Sequence, residues 1–155
     1  MGFKARHTAR RVLRAQGFAE EYPIDIFDIC KNLGIETEKA NIRALHGLSI
    51  NCLGIRKIYY SRNLPVNRQR FTVAHELGHL LLGHAGIHFD QHQASTPRLE
   101  RQANQFAAEL LVPKIALSRI WHQHSVIRLA KMFQVSYDCM VLRLNELGCL
   151  HQVKM

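Results

Sequence analysis

No apolar run in this 155-residue chain approaches the roughly 20 residues a membrane-spanning helix requires, which excludes a helical membrane protein. Its four cysteines, Cys30, Cys52, Cys139 and Cys149, form no CxxC pair. With no secretory signal ahead of them, they read as reduced, mostly buried thiols of a cytoplasmic protein. The first nineteen residues lack any acid and are rich in arginine, yet they also lack the serine enrichment of a transit peptide. Arg6 stands where a myristoylation signal needs Ser or Thr. Acids are scarce throughout: 12 Asp and Glu against 21 Lys and Arg give a formal charge of +9. That balance favours an acidic partner, either nucleic acid or an acidic protein surface, unless the charge serves solubility alone. What is present is a hydrophobic content of 47%, enough for a core, in a length that suits one domain with at most a small appendage.

The informative stretch is RFTVAHELGHLLLGH, from Arg70 to His84. An apolar stripe of Ala74, Leu77, Leu80, Leu81 and Leu82 predicts a helix that Pro65 can open and Gly83 can end. His75 and His79, at i and i+4, then share one face about one turn apart and can reach a single tetrahedral Zn²⁺. Glu76, beside the first of them, is the candidate general base for a water that the metal polarises. Gly78 costs about 1 kcal/mol inside a helix, which suggests a neighbouring element at close approach.

A catalytic zinc needs a third protein ligand and an open fourth position. The metzincin spacing fails, because Leu82 and Ala85 occupy the positions that should be Gly and His. The better candidate is Glu100, in TPRLERQANQFAAELLVP. There Thr96 can cap a helix, Pro97 can start it and Pro113 can stop it. Glu100, Ala103, Asn104, Ala107 and Leu111 recur at helical spacing, so Glu100 shares a face with small residues able to pack on the HELGH helix. Asn104, one turn below, is placed to hydrogen-bond behind the ligands. The intervening HAGIHFDQHQAST reads as a loop over the cleft. Were it helical, its evenly spaced His84, His88 and His92 would form a second, structural metal-binding face; otherwise they are solvated or substrate-facing, and any of them or Asp90 could serve as third ligand from a less rigid mount.

These two motifs together, RQRFTVAHELGHLLLGH and ERQANQFAAELLVP, resemble the ImmA/IrrE family of zinc metallopeptidases. The resemblance extends to PIDIFDICKNLGIE before them and LAKMFQVSYDCMVLRLNELG after, so it covers nearly the whole chain. It implies that His75, His79 and Glu100 hold the metal and that Glu76 is the catalytic acid/base. It further implies a helix-turn-helix transcriptional repressor as substrate, encoded beside the peptidase and cleaved to relieve repression. Stress-response members carry a sensor-like domain after this region. The chain given ends at Met155, so any sensing is expected from the same compact body or a partner.

The expected fold is α+β: a mainly helical, zincin-like core over residues 1–113 with a small sheet beside the HExxH helix, then a helix-turn-helix-like segment over 114–155. A first helix runs from Phe3 to Gln16, with Lys4, Arg6, Arg10, Arg11 and Arg14 as a solvated or partner-binding cationic side. Asp25 caps a second helix, with Ile24 stapled against Ile29, that Gly34 ends. Ile35–Thr37, Leu48–Ile50 and Gly54–Tyr60 are candidate strands, with Asn51 and Gly54 marking a turn. An edge strand can hold an extended substrate by backbone pairing, and Ile58, Tyr59 and Tyr60 are candidates for core or edge.

After Pro113, Lys114–His122 reads as a short helix, followed by helices capped by Ser125 and Ser136, the second reaching Leu147. As a DNA reader that last helix offers only Arg143, against Asp138 and Glu146, so a structural role is preferred over weak DNA binding. The main reading is therefore a zinc-dependent endopeptidase. Its rival is a non-catalytic regulatory module, with a structural or vestigial metal, that grips a repressor, an antitoxin-like partner or DNA.

Overall fold

The computed structural model describes residues 3–84 and 96–155. Asp25 starts the first sharply marked element: its carboxylate accepts the Phe27 and Asp28 N–H groups and opens α2 (Ile26–Asn32). Gly34, at φ +68°, lets the chain turn out of that helix at no side-chain cost. Ahead of it runs α1 (Phe3–Ala15), whose Ala5, Ala9 and Leu13 are buried. Side-chain caps recur wherever a helix must begin abruptly. Thr96 caps α4 (Pro97–Leu111), Ser125 caps α6 (Val126–Phe133) and Ser136 caps α7 (Tyr137–Glu146). Each such cap stabilises its helix by about 1 kcal/mol. Two further helices, α3 (Val66–Leu82) and α5 (Lys114–Ile120), start after Pro65 and Pro113, where the missing proline N–H costs nothing.

Three strands form one mixed sheet in the order β1-β3-β2. Strand β1 (Glu36–Ala40) runs parallel to β3 (Ile55–Ser61), and β2 (Gly47–Cys52) runs antiparallel to it. This corrects the reading of Ile58, Tyr59 and Tyr60 as a possible edge: β3 is the central strand, and the edges are β1 and β2. Ile58 and Tyr60 are instead buried against the helices. The turn is also displaced from its expected place. Asn51 lies within β2, and Leu53 and Gly54, at φ +50° and +81°, make a two-residue hairpin of the primed type. In β2 it is Ser49 that faces inward and is buried, while Leu48 and Ile50 sit half-exposed on the opposite face.

One continuous core joins the helices and the central strand β3. It includes Leu13 of α1, Ile29 of α2, Ile58 of β3, Leu77 of α3, Phe106 and Leu110 of α4, Leu117 of α5 and Phe133 of α6. Helix α7 is also tied in by charge. Arg143 of α7 is 1% exposed and donates to the Val112 carbonyl at 3.0 Å, to Glu146 at 2.9 Å and to the buried Glu109 of α4. Glu109 also accepts from Arg10 at 3.0 Å and from the Lys114 N–H at 3.1 Å, and Arg6 reaches Glu146 at 3.0 Å. Arg6 and Arg10 of the basic first helix are thus part-buried and paired with carboxylates, which takes them out of a uniformly solvated cationic side. Arg143, the cation on which a DNA-reading α7 leaned, is sealed inside the fold.

Two outcomes follow from this burial. Glu109→Ala, which strands the Arg143 guanidinium without its carboxylate, is expected to cost about 3–5 kcal/mol and to lower the urea midpoint sharply. Arg119→Ala, which breaks only the exposed pair with Glu20, should leave that midpoint near wild type. For the thiols, burial pushes Cys30 up to about 12 and Cys139 up to about 11. Thiol titration of the native protein at pH 8 should therefore find the half-exposed Cys52 and Cys149 reactive, with Cys30 and Cys139 appearing only on denaturation.

Candidate metal centre

Helix α3 puts His75 and His79 one turn apart, with their Nε2 atoms 3.0 Å from each other. Helix α4 crosses them and delivers Glu100, whose Oε2 lies 3.1 Å from His75 Nε2 and whose Oε1 lies 3.2 Å from His79 Nε2. The three ligand atoms lie within 4.8 Å of one another, and among the described residues this is the group able to hold a metal ion. The crossing is this close because position 78 has no side chain. A Cβ there would stand 3.0 Å from the ring of Phe106 and 3.2 Å from its Cβ. The neighbour expected from a glycine inside a helix is thus the Phe106 side chain.

The bonds behind the imidazoles settle which nitrogens face inward. Asn104 Oδ1 lies 2.8 Å from His75 Nδ1, so that nitrogen donates and Nε2 keeps the lone pair. Behind His79, its Nδ1 lies 3.1 Å from His84 Nδ1, and His84 Nε2 lies 2.9 Å from Gln102 Oε1. Burial lowers the His84 pKa, against the raising pull of its hydrogen bond to Gln102. Two inward imidazole nitrogens and a carboxylate at these separations repel unless a cation or shared protons sit among them. The residues present therefore fit a divalent metal, and the nitrogen and oxygen donors are of the type zinc takes.

Glu76, the next residue after His75, is turned toward the sheet. The Ser49 hydroxyl donates to its Oε2 at 2.7 Å. Gly47, on the same strand, leaves room for this: a Cβ there would come within 2.4 Å of Thr72 Cγ2 and 3.3 Å of Glu76 Cγ. Strand β2 thus holds the carboxylate in place.

The structure brings together His75, His79, Glu100 and Asn104, with Glu76 beside them. It places His84 behind His79, at the nitrogen turned away from the group, so His84 does not substitute for Glu100 as a ligand. His88, Asp90 and His92, which the sequence also offers as third ligands, lie outside the described residues. Two partners carry little signal in the sequence. Ser49 is legible there only as the polar residue between Leu48 and Ile50, and Gln102 lies off the Glu100, Ala103, Asn104 and Ala107 stripe.

From residue 30 to residue 145 the sequence matches the family described as IrrE N-terminal-like domain, Peptidase_M78. No curated protein matches the chain. Among solved structures it is similar to a Mycobacterium tuberculosis transcriptional regulator, with a TM-score of 0.70 and 18% identity over 92% of this chain and 47% of that one. The chain therefore spans about half the length of that structure, and at this identity the likeness is one of fold.

The purified protein is expected to take up one divalent ion per chain, measured by competition with a chromophoric chelator, and to lose it in His79→Ala and in Glu100→Ala. Asn104→Leu, which spares every ligand atom but removes the acceptor behind His75, should weaken affinity by about 10–100-fold.

Proposed function

Because the chain belongs to the IrrE N-terminal-like domain family of peptidases, we propose that it is a zinc-dependent endopeptidase acting on a protein substrate, and that the substrate is a helix-turn-helix transcriptional repressor whose cleavage relieves repression. The observation that carries the reading is the convergence of His75, His79 and Glu100 beside a carboxylate that accepts from Ser49 of β2. The match of fold to a protein described as a transcriptional regulator supports a regulatory setting.

His75, His79 and Glu100 would hold the ion. A bound zinc would supply Lewis-acid polarisation and bring the pKa of a water to about 7. Glu76 takes one proton from the attacking water as its oxygen bonds to the scissile carbonyl carbon. It then gives that proton to the amide nitrogen as the C–N bond breaks, so the products are a carboxyl and an amine. The hydrogen bond from Ser49 keeps Glu76 from swinging away between the two transfers. Strand β2 is an edge of the sheet as well as the strand that carries Ser49. An extended segment pairing with the side of β2 that no described strand covers would lie beside the strand that holds Glu76, which suits an unfolded linker of the substrate better than a folded surface.

A helix-turn-helix repressor incubated with the wild-type protein should yield two fragments. Glu76→Gln should slow their appearance by about 10²–10⁴-fold while zinc content stays at one per chain. If instead Glu76→Gln relieves repression as well as wild type does, and neither form produces fragments, the protein works by gripping its partner and the peptidase reading is wrong.

A further inference from the structure

His84 and Gln102 form a line of bonds behind His79 that the hydrolytic steps do not use. His79 turns Nε2 toward Glu100 and His75, which leaves Nδ1 on the far side of the ring, against His84 Nδ1. Two imidazole nitrogens at 3.1 Å need one hydrogen between them. Its owner is fixed at the other end of the line. Gln102 Oε1 only accepts, so the His84 nitrogen 2.9 Å from it, Nε2, carries the hydrogen. A neutral His84 then has its lone pair on Nδ1, and the hydrogen in the contact belongs to His79 Nδ1. With its hydrogen there, His79 has its lone pair on Nε2, facing the carboxylate and the second imidazole.

We propose that His84 and Gln102 are positioning residues that lock His79 in the one tautomer able to donate Nε2 to a metal, as Asn104 does for His75. The arrangement gives each imidazole its own acceptor on α4: Asn104 directly for one, Gln102 through a relaying ring for the other. Such partners behind a ligand fix both its hydrogen and the rotation of its ring. His84 gains from its place just past the end of α3: Gly83 at φ +69° ends the helix, the His84 N–H returns to the His79 carbonyl at 3.0 Å, and the His84 ring is buried beside that of His79. This inference rests on the metal reading proposed above.

The test compares the full chain with His84→Ala, Gln102→Leu and His84→Gln. One readout is imidazole ¹⁵N spectra of the metal-free proteins, and the other is zinc affinity by chelator competition. Wild type should keep a hydrogen on His79 Nδ1 whether or not Nε2 shares one with Glu100. His84→Ala should show mixed tautomers and bind zinc about 10–100-fold more weakly. Gln102→Leu should shift both readouts in the same direction, and it stands in if His84→Ala fails to fold. His84→Gln, whose amide oxygen can accept the His79 hydrogen, should restore affinity to within a few-fold of wild type, which a merely space-filling role would not require. The proposal is overturned if His79 keeps its tautomer and zinc affinity is unchanged in both His84→Ala and Gln102→Leu. It is also overturned if X-ray absorption shows that His84→Ala loses a zinc-bound imidazole, since His84 would then be a ligand. Failure of wild type itself to bind zinc would instead sink the metal reading, with the tautomer of His79 in the metal-free chain still deciding this one.

Discussion

The contact between α3 and α4 across Gly78 is the constraint on which the site depends. Because nothing projects from position 78, the Phe106 ring lies on the backbone of α3, and the two helices approach more closely than a pair of ordinary side chains would permit. Everything that α4 contributes reaches the histidines through that approach. Glu100 faces both inward nitrogens, Asn104 takes the rear of His75, and Gln102 takes the rear of His84. The conformational cost of a glycine in mid-helix is thus offset by a rigid mount for these polar side chains.

Electrostatics divides the molecule in two. At one place, donors of like character are pressed together and call for a cation. At another, Glu109 and Glu146 are buried or half-buried among Arg6, Arg10 and Arg143, which tie α1 and α4 to α7. A formal charge of +9 therefore says little about where a partner would land, because Arg143 is buried and Arg6 and Arg10 are already engaged by carboxylates. Breaking such a network is costly chiefly because the partner left behind remains out of water.

Much of this is legible in the residues because local chemistry dictates it. Asp25, Thr96, Ser125 and Ser136 cap helices where their side chains predict, and Gly34 and Gly83 end them in the left-handed conformation. The i, i+4 pair and the Glu100 stripe need only helical periodicity. What depends on tertiary pairing is not legible. Strand order decides that β3 is central, and nothing in IRKIYYS states its order. The inward turn of Ser49 follows from the register of β2 on β3, which sets a polar residue inside and Leu48 and Ile50 outside, contrary to what hydrophobicity alone suggests. Arg143 reads as a surface cation until α4 supplies the carboxylate that draws it inward. His84 likewise looks like a spare ligand until the ring of His79 shows which of its nitrogens is turned that way.

Glu76 shares α3 with His75 and His79, yet the hydrogen bond described for it comes from a different element than theirs. The former is steadied by a serine and a glycine on β2, whereas the latter are arranged by α4 and the residue just past the end of α3. A change confined to the short stretch from Gly47 to Ser49 would therefore release the Glu76 carboxylate while leaving His75, His79 and Glu100 facing one another as before.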